Sequence, residues 1–375
     1  MKKYCVLYPN TWNVNLVKEM GMMPYKLHKL YGYDSTIACY KLDEYDYLKE
    51  EVKGLKIDFI ERKYNNYTLD GLRYLNKKAK DIDILQIFHV TLYSMFYAYR
   101  YKKLNPKGKI YLKLDCSYKL IDKIKALTPL KRKLLNKYLD KVDLISAEQV
   151  SLSEKLKKLL KKHENKIITI PDGVDYSYLE KNNIVYNYEE KENTILNVAR
   201  IGAEEKNTPM LLEAFSKVSD AAKSGWKLKL IGPIEENFKS YIEDFFEKNP
   251  NLKGRIEIIG PIKDRRKLYD EYKKSKIFCL TSEFESFGIA FVEAAALGNV
   301  ILATDVGIVR EIVVKGNGGV VPLRDTKGLT LMMEKLIKDK NIQNYSKYTY
   351  DICNEKFNWD KIIQKLKRDF DKHNF

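Results

Sequence analysis

Residues 277–314 read IFCLTSEFESFGIAFVEAAALGNVILATDVGIVREIVV, and their pattern decides the fold. The apolar run Ile277 to Leu280 predicts a buried strand. A polar turn (Thr281, Ser282, Glu283), then Phe287 and Gly288, leads into a helical segment from Ile289 to Leu297. Gly298 and Asn299 stop that helix, and Val300 to Ala303 predicts the next strand. The stretch is therefore a strand–loop–helix–strand unit with a glycine at the loop–helix junction. Such a junction aims free backbone N–H groups, and the positive end of a helix dipole, at whatever lies above it.

Glu285 in the loop and Glu293 in the helix flank this junction. Glu285 can aim at hydroxyls of a ligand held at the helix start. Glu293, just over two turns further on, can reach a neighbouring hydroxylated ring. The spacing alone is also what a solvated helix face gives in a chain that is 32% charged. The order of neighbours separates the two readings: Glu, Phe-Gly, Glu, an alanine-rich helix, Gly, an apolar strand and Thr304. In that order the segment resembles the donor-site signature of retaining glycosyltransferases with the GT-B fold, family-4 type. The hallmark of that family is a Glu-x7-Glu pair bracketing Phe-Gly. The resemblance implies that Glu285 and the backbone at Phe287, Gly288 and Ile289 hold the sugar and diphosphate. It also implies that Glu293 binds the ribose hydroxyls of the nucleotide.

A second motif lies upstream, in TILNVARIGAEEKNTPMLLEAF (residues 194–215). A strand, Thr194 to Ala199, ends at Arg200; a loop carries Lys206; a helix begins near Pro209, a residue suited to a first turn. Arg200 and Lys206 can point a planar fork of donors and a compact charge at one diphosphate. Surface charge in a lysine-rich chain is the plainer reading. The pair also resembles the Gly-Arg-Leu…Lys pattern of the same family, with Ala199 in place of the glycine. The resemblance makes Arg200, Lys206 and Glu285 the catalytic set. No Asp/His cluster has metal-ligand spacing, so neither a catalytic metal nor a cofactor is expected.

Length predicts two domains, each large enough for its own core. Of five cysteines, Cys5, Cys39 and Cys279 lie in apolar runs and none forms a CxxC, which predicts core residues and a reducing cytoplasm. The start, MKKYCVLYPN, reads as a first strand and not a signal peptide. No run is long enough to span a membrane. The net charge is +17, and residues 1–185 supply most of it, with 36 Lys and Arg against 22 Asp and Glu. That asymmetry suits an anionic membrane surface, nucleic acid or simple solubility. A specific nucleic-acid site is not expected, because no zinc-finger, RNP or basic-region pattern is present.

The first half alternates strand and helix. Gly21 is expected in the loop before a helix from Met22 to Leu30, close to the donor. His89 and Asp115 are expected at the C-terminal ends of two strands, and the family resemblance implies that this is the acceptor side; a lone histidine is more often structural. Ile121 to Tyr138 predicts one basic helix. Val150 to Lys162 predicts a basic amphipathic helix, either packed on the core or docked on an anionic bilayer. The segment PDGVDYSYLE (171–180) resembles the family's turn before the domain linker, and the polar stretch 181–193 reads as that linker. FNWDKIIQKLKRDF (357–370) resembles the terminal helix that crosses back onto the first domain.

The expectation is two Rossmann-like doubly wound α/β domains facing across a cleft, GT-B in type. Residues 1–185 with 357–375 form the acceptor domain and residues 194–356 the donor domain. The resemblance implies a retaining glycosyltransferase moving a hexose from a nucleotide-diphosphate sugar, UDP-sugar first, to a glycan or lipid-linked acceptor in envelope or capsule synthesis. Its place would be the cytoplasm, with the inner membrane face as a peripheral location. A nucleotide-sugar epimerase and a catalytically silent scaffold share the architecture and stand as alternatives.

Overall fold

The thirteen strands form two sheets whose pairings are all parallel, in a computed structural model that describes residues 1–375. The chain splits into one unit of Met1–Asp172 with Trp359–Phe375, and a second of Gly173–Asn358. The first unit has β1 (Lys3–Leu7), β2 (Asp34–Cys39), β3 (Lys56–Phe59), β4 (Ile84–Phe88), β5 (Lys109–Leu114), β6 (Leu144–Ala147) and β7 (Ile167–Thr169). Their spatial order is β3-β2-β1-β4-β5-β6-β7. The second unit has β8 (Glu192–Val198), β9 (Lys227–Ile231), β10 (Ile256–Gly260), β11 (Ser275–Leu280), β12 (Val300–Thr304) and β13 (Gly319–Val321). Their order is β10-β9-β8-β11-β12-β13. Each order reverses direction once, beside β1 and beside β8, as doubly wound sheets do.

Each sheet is covered on both faces, which is why its strands are apolar at successive positions and do not alternate. In β1, Cys5 and Leu7 pack into one core while Tyr4 and Val6 pack into the other. In the second unit, Phe278 and Leu280 of β11 face one core and Ile277 and Cys279 the other. All five cysteines are free thiols and four are buried. Burial pushes the thiols of Cys5 and Cys353 up to about 12.

Several elements differ from expectation. The division falls after Asp172 and not in the polar stretch 181–193. The cause is packing, since Val174, Tyr176, Leu179 and Ile184 are all buried in a core of the second unit. The basic stretch 121–138 is two helices, Tyr118–Lys125 and Pro129–Leu139, because Thr128 caps the second through the Lys131 N–H and Pro129 opens it. The helix Val150–Leu159 spends its apolar face internally: Leu152 and Leu156 are fully buried in the first unit's core, leaving lysines outward. That leaves no apolar face on this helix for a bilayer. The terminal helix Trp359–Lys372 belongs to the first unit, where Trp359, Ile362, Ile363, Leu366 and Phe370 are buried.

Candidate active site

In the second unit, the loops leaving β8 and β11 emerge side by side at the point where strand order reverses, the usual ligand position of an open parallel sheet. The first loop carries Arg200 to Lys206 and the second Thr281 to Gly288. They are stitched together: the Glu283 N–H donates to the Glu205 carbonyl at 2.8 Å, and Thr281 Oγ1 donates to the carbonyls of Lys206 and Asn207, each at 3.0 Å. Lys206 Nζ consequently meets Glu285 Oε1 at 2.6 Å, in a half-buried ion pair. Ser282 Oγ donates to the same carboxylate oxygen at 2.7 Å.

Gly288 is the N-cap of the helix Ile289–Ala296, with φ 87°. A side chain there would be strained, and its Cβ would lie 2.7 Å from the Phe291 ring. The Phe287 ring is buried, so Phe287 can meet a ligand only through its backbone, and its carbonyl already accepts from the Ile308 N–H at 2.9 Å. Ile289 is half-buried in the first turn. Glu293 accepts hydrogen bonds from Tyr272 at 3.2 Å and Tyr269 at 3.4 Å. Burial, then the Glu293 charge, pushes both phenols well up, so they are donors throughout the physiological range. The Arg265 guanidinium lies over the Tyr178 and Tyr269 rings.

Arg200 does not reach Glu285; its guanidinium pairs with Glu205 and, at 3.4 Å, with Glu235. It is therefore held at the Lys206 loop by two carboxylates that an anion would have to displace. Glu283 is fixed by Arg324, whose Nε and Nη2 donate at 2.7 and 2.5 Å, which holds the carboxyl below its usual range. Sequence reasoning missed Ser282, Glu283, Arg324, Tyr269, Tyr272 and Gly307. The two tyrosines carried a signal, as the buried three-residue repeat of a lysine-rich helix, but nothing in it named Glu293 as their partner. Gly307 has φ 56°, and a Cβ there would sit 2.3 Å from the Phe287 carbonyl oxygen.

In the first unit, His89 follows β4 and Asp115 follows β5, and the structure brings them together. Burial lowers the His89 imidazole, and the neighbouring Asp115 opposes that. His89 has φ 58°, a conformation uncommon without glycine, and is held by its N–H to the Lys113 carbonyl at 3.1 Å and its carbonyl to Ser94 Oγ at 2.8 Å. Gly21 is not a loop residue. It lies buried in the first turn of the helix Glu19–Tyr31, where a Cβ would come within 2.1 Å of the Leu16 carbonyl oxygen, so close helix packing explains the glycine. Beside it lies a cluster that sequence reasoning missed: buried Lys113 donates to Glu148 at 2.9 Å and Asp172 at 3.3 Å. Burial pushes Glu19 up to about 8, helped by Asp172 and opposed by Lys113. No three His, Cys, Asp or Glu side chains converge in a cluster that could hold a metal.

Residues 180–351, spanning both loops and the Gly288 helix, match the family described as Glycosyl transferases group 1. This segment is a glycosyl transferases group 1 domain. The chain is 29% identical over 219 residues to a probable sucrose-phosphate synthase of Thermosipho melanesiensis, covering 56% of this chain and 48% of that protein. It is 24% identical over 178 residues to a phosphatidyl-myo-inositol mannosyltransferase of Mycolicibacterium smegmatis, covering 47% and 44%. The chain thus spans about half the length of the curated relatives it matches. The likeness of fold extends over both units. A glycosyltransferase from Rickettsia africae superposes with a TM-score of 0.76 at 18% identity, covering 100% of this chain and 98% of that one. Anabaena HepE, solved with UDP and glucose, gives 0.72 at 14%, covering 99% and 100%. The architecture is therefore that of GT-B proteins: two Rossmann-like units, of which the group 1 domain is the second.

Proposed function

We propose that this chain is a retaining glycosyltransferase that moves a hexose from a nucleotide-diphosphate sugar, UDP-hexose first, to a hydroxyl of a glycan or lipid-linked acceptor in bacterial envelope or capsule synthesis. The observation that carries the reading is the meeting of Lys206 and Glu285, from two separate loops, beside the glycine-opened helix start at Gly288. A diphosphate at that helix start would draw Lys206 and Arg200 from their carboxylate partners, and the two cations would stabilise the charge that grows as it leaves. Glu285, released from Lys206, would orient the sugar, and Glu293 would take the ribose hydroxyls. The two cations would do the job that a metal otherwise does, so chelation with EDTA should leave turnover unchanged.

His89 and Asp115, at the C-terminal edge of the first unit's sheet, would serve the acceptor. Retention fits a front-face path in which the acceptor hydroxyl attacks on the side the diphosphate leaves from and gives its proton to it. No helix is long and apolar enough to cross a membrane. A reducing cytoplasm suits the five free thiols, and the basic first unit suits a peripheral position on the inner membrane face.

A donor screen tests the reading: thermal stabilisation by UDP-, GDP- and ADP-sugars, then hydrolysis of the best binder followed by NMR. Stabilisation by one sugar nucleotide, release of its α-configured sugar and loss of release in Lys206→Ala are expected. Interconversion of sugar nucleotides without an acceptor would make the chain an epimerase. Binding with no turnover toward any acceptor would make it a scaffold.

A further inference from the structure

In the first unit the helix Leu92–Leu104 turns Ser94, Tyr97, Ala98 and Tyr101 inward. Leu92, 74% exposed, and Phe96 and Tyr99 point outward at spacings of four and three, so they share one face, and that face continues to exposed Lys103. The neighbouring helix, Pro129–Leu139, repeats the arrangement. It buries Leu135, Tyr138 and Leu139 and exposes Leu130, at 69%, and Leu134, a stripe that continues to exposed Lys137 and Lys141. Tyr138 ties the two helices by donating to Ser94 Oγ at 3.3 Å. Neither helix contains an Asp or Glu. Single exposed leucines need no explanation, but five large apolar side chains on two adjoining helices do.

We propose that this face, Leu92, Phe96 and Tyr99 with Leu130 and Leu134, docks on an anionic lipid bilayer, with the apolar groups entering the interface and Lys103, Lys131, Lys133 and Lys137 against the headgroups. The inference deepens the membrane part of the proposed function and moves it from the Val150–Leu159 helix, where Leu152 and Leu156 are buried, to a pair of helices that keep Leu92, Leu130 and Leu134 exposed. Charge complementarity selects the partner: residues 1–185 carry 36 basic against 22 acidic residues, and the two helices carry basic ones alone. An amphipathic surface of this kind, apolar with a cationic border, is what interfacial binding needs. Position agrees with it. The Leu92 helix begins three residues after His89, at the sheet edge assigned to the acceptor, so its most apolar turn lies next to where a lipid-linked acceptor would enter.

The test is co-sedimentation with phosphatidylglycerol vesicles, with phosphatidylcholine vesicles as control, at physiological salt. The wild-type protein should bind the former and ignore the latter. A Phe96→Ser/Leu130→Ser variant should bind at least about tenfold more weakly, with stabilisation by UDP-sugar unchanged. A Leu134→Trp variant, which adds apolar surface, should show a blue-shifted emission on adding anionic vesicles. Undiminished binding by the serine variant together with an unshifted emission from the tryptophan variant would overturn the proposal. So would a wild-type dimer that the serine variant converts to monomer, since the face would then be a contact between copies. Sugar-nucleotide stabilisation is read without vesicles, so failure here leaves the glycosyltransferase reading standing, and failure there leaves this one standing.

Discussion

Glu293 is the residue whose surroundings say most about its use. Two buried phenols donate to its carboxylate and fix its direction. If that direction serves a ribose, Tyr272→Phe should weaken UDP binding by about 1 kcal/mol, the worth of one such hydrogen bond, and should weaken a 2′-deoxy analogue less. Calorimetry on both nucleotides checks this, and equal losses would reduce Tyr272 to a packing residue. Lys206 makes a different kind of contact, an ion pair whose side chains are only 19% and 13% exposed. Lys206→Ala should therefore lower the melting temperature measurably, and should lower kcat/KM for the sugar nucleotide by about 100-fold or more. Glu19 gives a prediction in pH. Its carboxyl is raised from 4.5 to about 8 by burial, with Asp172 and Asp115 adding to the shift and Lys113 opposing it. The folded state thus holds a proton that the unfolded state has lost, and stability falls as pH rises from about 4.5 to about 8. Thermal melts from pH 5 to 8 should show a fall for the wild type and a flatter profile for Glu19→Gln.

At the scale of elements, the loop between β11 and its helix is shaped by two glycines that fail differently when replaced. At Gly288, positive φ and contact with the Phe291 ring should make Gly288→Ala cost about 1–2 kcal/mol, as that ring can shift. At Gly307 the obstacle is the Phe287 carbonyl, a backbone atom of the loop itself, so Gly307→Ala should cost more and should also lower sugar-nucleotide affinity. Denaturation of both variants beside UDP titration ranks them, and a milder effect at 307 would show that the loop is not held from that side. These elements also mark how far reading the chain could go. β11, its helix and β12 were legible because local order alone specifies them: an apolar run, a turn, an alanine-rich segment and a glycine stop. Lys206 and Glu285 were legible as members of one catalytic set through the family resemblance; that they meet as an ion pair follows from loops leaving the adjacent strands β8 and β11, which the sequence did not specify. What escaped depends on distant packing. Gly21 resembles a loop glycine until Leu16 is laid against it, and Leu152 and Leu156 look like Leu130 and Leu134 until the first pair meets a core. Arg200 was placed in the right loop, but its partners, Glu205 and Glu235, follow from the fold of the turn and from no motif.

For the whole molecule, the order of the chain in space matters most at its end. Residues 1–172 form a seven-stranded sheet, yet the core on one of its faces is completed only by Trp359–Phe375, after the chain has built the entire second unit. Trp359, Ile362, Ile363, Leu366 and Phe370 lie in the same core as Tyr4, Val6, Met20 and Leu27, and fully buried Lys26 pairs with Asp360 at 2.6 Å. Each large apolar side chain so buried is worth about 1.5–3 kcal/mol, a large share of a domain stability of about 5–15 kcal/mol. Ending the chain at Asn358 would uncover that face and remove Asp360, the carboxylate that pairs with Lys26. The second unit loses none of its own core residues by that cut. Such a truncation should melt in two steps, with the first unit unfolding at a lower temperature and binding a hydrophobic dye, while UDP still stabilises the upper transition. One unshifted transition would mean that the terminal helix contributes little to the sheet it covers.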